Sequence, residues 1–162
     1  MKTHEKTPIT IRRASREDIP GILACLAASF APYRAQYTPE GFRDTVLSPE
    51  AAARRLCEMT ILVAEQEGRI VGTIAHRLET EGEGHLRGMA VLPDFQGQGV
   101  AERLLQEAEV GLRQAGCARV TLDTTDPLER AIRFYARHGY QPTGVTRDFF
   151  GMRLVQRAKR LA

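Results

Sequence analysis

The sequence predicts a mixed α/β (α+β) domain: one largely antiparallel central sheet of six to seven strands with helices on both faces. Three observations carry that expectation. Helical apolar stripes and β-rich runs follow one another in the order β, helices, βββ, α, β, α, ββ. Two of the strand runs meet at Glu67-Gly68, as the arms of a hairpin would. No repeat, linker or low-complexity run divides the 162 residues, a length that suits one core. Residues 1–8 read as a loose polar tail and 9–162 as a single domain.

The elements follow in order. Thr10–Ala14 reads as the first strand. Ser15 and Asp18 have capping-box spacing, and Ile19, Ile22, Leu23, Leu26, Ala27 and Phe30 then form a helical stripe. Pro32 and Pro39 bound a loop over Ala31–Thr38. A short helix is expected over Pro39–Leu47, and another after Ser48-Pro49-Glu50, with Ser48 as cap and Pro49 at the first position. Met59–Glu65, Arg69–Glu79 and Glu81–Leu92 read as three strands. A helix from Gly99 to about Ala115 buries Val100, Leu104, Leu105, Ala108 and Leu112, and Gly116 stops it. Arg119–Asp123 is a short strand. Asp126-Pro127-Leu128-Glu129 combines a cap, a first-turn proline and a capping box, so a helix to His138 is expected. Two strands near 140–147 and 149–156 complete the chain, and the basic run Arg157–Arg160 could extend beyond them as an arm.

Composition narrows the function. With 43% apolar and 27% charged residues the chain reads as globular rather than disordered. No apolar run approaches a membrane span and no secretory leader is visible. The net charge of +3 is dispersed and too modest to indicate nucleic-acid binding, although it suits a polyanionic ligand. Cys25, Cys57 and Cys117 lack metal-ligand spacing, and His4, His76, His85 and His138 form no cluster, so no metal is expected. Unpaired cysteines fit a reduced, cytoplasmic setting.

The most informative stretch is Gly88 to Leu105. An apolar run ends at Pro93, a glycine-bearing loop follows, and a helical pattern starts at once. This order sets free backbone N–H groups at a helix N-terminus, a site for phosphate or diphosphate. Gly97 and Gly99 allow an anion close approach to the main chain. A P-loop would need Lys and Ser/Thr after the last glycine, where Val100 and Ala101 stand. A dinucleotide fingerprint would need a small residue at Glu102.

Gln96, Gly99 and Ala101 instead meet the pattern Q/R-x-x-G-x-G/A, and Ala131-Ile132-Arg133-Phe134-Tyr135-Ala136-Arg137-His138-Gly139-Tyr140 meets A-x-x-F-Y-x-x-x-G-F/Y. In that order and separation the chain resembles the GCN5-related N-acetyltransferase (GNAT) family, over roughly residues 9–156. The resemblance implies the family's sheet and acetyl transfer from acetyl-coenzyme A to a primary amine, by direct attack in a ternary complex. It implies Tyr135 as general acid to the departing thiolate, and a pantetheine arm running along Met89, Ala90 and Val91. It also implies a diphosphate wrapped by Gln96, Gly97, Gln98, Gly99, Val100 and Ala101. Tyr135 also fits a plain core aromatic on the stripe of Leu128 and Ile132.

His85 stands where some relatives place a base, with Glu83 and Glu79 as rivals and strand packing as the alternative. Strand alternation puts His85, Arg87, Met89 and Val91 on one face unless a bulge intervenes. One position departs from the family: Leu128 replaces an asparagine that bonds the pantetheine, and Asp126 or Thr124 could stand in. Arg103, Arg130 and Arg137 could reach the coenzyme's 3′-phosphate or simply be solvated. Phe30, Tyr33, Arg34 and Tyr37 are candidates for the acceptor side, with Arg34 able to hold a carboxylate. The expected acceptor is a small-molecule amine, with no nucleic acid and no membrane as partner. A protein N-terminal or lysine acetyltransferase and a non-catalytic coenzyme A sensor are the alternatives. A homodimer is compatible with the family.

Overall fold

The computed structural model describes residues 7–80 and 82–161. Residues 1–6 of the expected tail, and Glu81 at the start of the expected third hairpin strand, lie outside them. Seven strands form one sheet: β1 (Thr10–Arg13), β2 (Thr60–Gln66), β3 (Arg69–Thr80), β4 (Glu83–Val91), β5 (Arg119–Thr125), β6 (Gln141–Phe149) and β7 (Met152–Arg160). Their order is β1-β2-β3-β4-β5-β7-β6, and every pairing is antiparallel except β4 with β5. The helices are α1 (Ile19–Phe30), α2 (Pro39–Val46), α3 (Pro49–Glu58), α4 (Val100–Gln114) and α5 (Glu129–Arg137).

The helices divide between the faces, as expected. A Cβ on Gly72 would meet Leu104 and Val100, and one on Gly84 would meet Leu112, so α4 lies on that face with almost no clearance. α5 joins it there, because the Tyr140 ring that follows it packs against Tyr135 and its hydroxyl donates to Glu109 of α4. The opposite face carries α1, whose Gly21 abuts Ile70, together with α3. The buried cluster includes Ile74, Leu86, Leu104, Leu112 and Val120. Burying such side chains contributes about 1.5–3 kcal/mol each.

Three segments differ from expectation. The proline-bounded loop is wound as 3-10 helix over Ala31–Gln36. α5 starts at Glu129 with Leu128 at the cap position, not at Pro127 after an Asp126 cap, because Leu128 N–H donates to Thr125 and Glu129 N–H to Pro127, closing a turn first. Asp126 is instead paired with Arg153 at 3.0 Å. The last hairpin turns at Phe150-Gly151, so Arg157–Arg160 are ladder partners of Arg119–Leu122 and not an arm. No described helix is long and apolar enough to cross a membrane.

Candidate active site

β4 and β5 pair only at Glu83–Arg119, Gly84–Val120 and His85–Thr121. Past His85 they part, leaving the β5-facing edge of β4 without a strand partner among the described residues. A bulge sharpens the split. Thr73 faces Ala90 but Ala75 faces Arg87, so Gly88 and Met89 together oppose Ile74. Gly88 takes φ +65, and a Cβ there would sit 2.7 Å from Arg55 Nη1. The bulge therefore puts Ala90, not Met89, on the side of His85 and Arg87. A cleft of about 570 Å³ fills the split.

The loop after β4 closes one end. Phe95 N–H donates to Leu92 and Gln96 N–H to Pro93, which uses those two amides. The amides of Gly97, Gln98, Gly99, Val100 and Ala101 have no protein acceptor among the described residues. Gly97 and Gly99 sit at φ 78 and 80, a region that favours glycine. Gly97, Gly99, Val100 and Ala101 line the cleft, whereas Gln98 does not and its side chain donates to the Asp94 carbonyl. The Gln96 side chain donates to Val91 O at 3.2 Å and accepts from Arg130 at 2.6 Å, tying the end of β4 to α5. The concave row of free N–H groups fits an anion the size of a diphosphate.

Tyr135 forms the opposite wall, 7% exposed, its ring edge-on to Phe134 and Tyr140. Its hydroxyl has no hydrogen-bond partner among the described residues, and burial pushes the phenol well above the ordinary tyrosine value. Leu128 lines the cleft with an apolar side chain. Neither suggested substitute for the family asparagine is free. Asp126 holds Arg153, and Thr124 accepts from Arg157 at 3.0 Å.

His85 lies behind the cleft and not in its wall. Its Nδ1 shares a 2.8 Å hydrogen bond with Thr121 Oγ1, and its Nε2 is 3.8 Å from Asp123 Oδ2. Burial holds the imidazole below its ordinary value, with Arg77 and Arg87 adding to this and Asp123 and Glu79 opposing. The rivals are engaged: Glu79 with Arg77 and Glu83 with Arg119. Arg103 donates to the Ile9 carbonyl, away from the cleft, while Arg130 and Arg137 border it.

Phe30, Tyr33 and Tyr37 line the cleft on the α1 side, and Tyr37 shares a 2.6 Å hydrogen bond with Thr125. Arg34 does not reach it and stacks over Phe42. The lining residues that carry no signal in the sequence include Asp123 and Arg55. Along the chain Asp123 is the end of a short strand run and Arg55 stands among other charges of a short helix; neither belongs to a motif.

Comparison with known proteins gives the context. The model of the acetyltransferase (GNAT) family matches residues 24–140. Among solved structures, the chain superposes on the PaiA N-acetyltransferase of Thermoplasma acidophilum, solved with coenzyme A. The TM-score is 0.80 at 19% identity, covering 95% of this chain and 99% of that one. It is similar to the ribosomal-protein-S18-alanine N-acetyltransferase of Escherichia coli, with TM-score 0.76 and 19% identity over 96% and 95% of the two chains. Ard1 of Thermoplasma volcanium gives TM-score 0.78 at 19% identity over 95% and 98%. At these identities the likeness speaks for the fold. The family match spans most of the sequence, and on that ground the chain belongs to the GNAT family of acetyltransferases.

Proposed function

We propose that this acetyltransferase moves the acetyl group of acetyl-coenzyme A to a primary amine of a small-molecule acceptor, by direct attack in a ternary complex. The observation that carries the reading is the row of five unpartnered amides, Gly97 to Ala101, at the mouth of the β4–β5 split. Acetyl-coenzyme A supplies an activated acyl group with a thiolate leaving group. The residues of the chain do the rest. The loop amides hold the diphosphate. The free edge of β4 at Met89–Val91 aligns the pantetheine arm and fixes the carbonyl beside Tyr135. Tyr135 Oη gives its proton to the departing sulfur. Asp123, in the wall of the cleft, takes the proton of the amine, with His85 Nε2 behind it as positioning partner and proton sink. The aromatic side chains of Phe30, Tyr33 and Tyr37 on the α1 side of the cleft suit a small acceptor.

Free-thiol release across a panel of amines tests the reading directly. Turnover on a small amine is expected; tight coenzyme binding with no turnover on any amine or peptide would make the protein a sensor.

Two variants probe the finer assignments. A neutral His85 is needed to draw a proton through Asp123, and burial lowers its titration. Activity is therefore expected to fall as pH drops through a value below the ordinary 6.5 of histidine. In His85→Gln that acid limb moves or vanishes, with a loss in kcat of less than about 10²-fold because the imidazole acts indirectly. An unaltered limb removes His85 from the proton path. Leu128→Asn, read by the KM for acetyl-coenzyme A, restores the family's amide. It should lower KM by about 2–10-fold, the worth of one net hydrogen bond. A raised KM would mean that the pantetheine arm runs elsewhere.

A further inference from the structure

Two side chains of opposite charge face the cleft with no hydrogen bond of their own. Arg55, on α3, is 8% exposed, and its guanidinium has neither hydrogen bond nor ion pair among the described residues. Its neighbours do not discharge it. Arg87 is taken by Asp44 at 2.9 Å, and burial, with Arg87 and Arg77 nearby, lowers the Arg55 pKa to about 10, against Asp44 and Glu58. It remains a cation at neutral pH. Asp123 Oδ1 is buried without any hydrogen-bond partner. Arg147 Nη2 at 3.9 Å from Oδ1 and His85 Nε2 at 3.8 Å from Oδ2 are too distant to hydrogen-bond it. Both groups lie on one face of the sheet. Thr121 pairs beside His85, Asp123 follows two residues on, and α3 covers that face with α1. The coenzyme loop opens instead at the N-terminus of α4, on the other face.

We infer that the acceptor is a zwitterionic amino-carboxylate, its carboxylate bound by the guanidinium of Arg55 and its ammonium group by the carboxylate of Asp123. This rests on the acetyltransferase reading above. A buried charged group without a hydrogen-bond partner is costly, and the opposite ends of such a ligand would supply the partner that each lacks. The planar fork of Arg55 suits two carboxylate oxygens. Asp123 first holds the ammonium, then accepts one of its protons and passes it to His85. The uncharged amine attacks the thioester carbonyl, the carbon–sulfur bond breaks as Tyr135 protonates the sulfur, and nitrogen gives up its second proton to Asp123 as the amide forms. One of the two protons returns to Tyr135 and the other leaves to solvent. Polyamines and aminoglycosides carry only positive charge, and Arg55 would repel them. Gly88 keeps the place open for the guanidinium, since any Cβ would displace Nη1.

The test is thiol-release kinetics with the proteinogenic amino acids, their decarboxylated amines, their amides and aminoalkylphosphonates. At least one amino acid should exceed its amine and its amide in kcat/KM by about 10²-fold or more. Arg55→Met should erase that preference through KM, and Arg55→Lys should keep part of it. The dissociation constant for acetyl-coenzyme A, measured by calorimetry, should stay unchanged in both. Arg55→Met should also not lower Tm, because it removes an unpartnered charge; a purely structural arginine would give a lower Tm. Asp123→Asn should reduce kcat on the preferred amino acid. Equal or better turnover of the amines, amides or phosphonates overturns the inference while leaving acetyl transfer intact, as does a preference that survives Arg55→Met. Coenzyme binding without turnover of any acceptor overturns the enzymatic reading, and this inference with it.

Discussion

Tyr135→Phe is expected to lower kcat by about 10²–10³-fold while leaving the KM for acetyl-coenzyme A within about twofold. The substitution deletes one oxygen. The ring is packed edge-on between Phe134 and Tyr140, and those contacts persist in phenylalanine. The hydroxyl has no protein partner among the described residues, so its loss leaves no orphaned group and little change in Tm. What disappears is the one phenolic proton donor in this wall of the cleft. Burial raises the phenol's pKa, which keeps the proton in place through the working range and moves any alkaline limb from this residue above pH 10. Steady-state kinetics with thermal melting distinguishes the two roles of the ring. A fall in kcat at constant Tm marks an acid; unchanged kcat reduces Tyr135 to a core aromatic.

The features that encode this site differ in how far they can be read along the chain. The stripe of Val100, Leu104, Leu105, Ala108 and Leu112 is periodic, and so the fifteen residues of α4 stand out. The hairpin at Glu67-Gly68 and the caps at Ser15 and Ser48 are short-range signals, and the structure has them. Where local and tertiary preferences disagree, the local reading fails. Asp126 is a good cap by composition, yet Arg153 on β7, far away in sequence, takes its carboxylate. The bulge at Gly88 has no signature beyond a glycine in a strand, and it resets which residues share the face of His85. Arg55 looks like any solvated helix charge in Pro49–Glu58. Only the packing of α3 against α1 and the sheet buries it, and a burial decided by partners distant in sequence leaves no periodic trace. The loop glycines are legible for the opposite reason, since their role is carried by the local backbone.

Gly99→Glu is the second large effect, and it addresses that backbone directly. Gly99 caps α4 at φ 80, ψ 7, a conformation that costs a non-glycine residue about 1–2 kcal/mol. No atom lies within 4 Å of the place where its Cβ would stand, so the protein itself offers no clash. The penalty falls on the ligand: a carboxylate is set among the free amides from Gly97 to Ala101, where a diphosphate would lie. Losing two charge-assisted contacts, at about 1.5–3 kcal/mol each, raises the KM for acetyl-coenzyme A by about 10²-fold or more. Gly99→Ala separates the causes, because it carries the dihedral strain without the charge and should show only a small part of the rise. Gly97→Asp, at φ 78 and equally open, should repeat the effect of Gly99→Glu. The larger share in both acidic variants should shrink as salt is added, since screening weakens repulsion between exposed charges and leaves strain untouched. Coenzyme affinity that survives both acidic substitutions would mean that these amides do not face the diphosphate, and the cofactor path through the split would have to be abandoned.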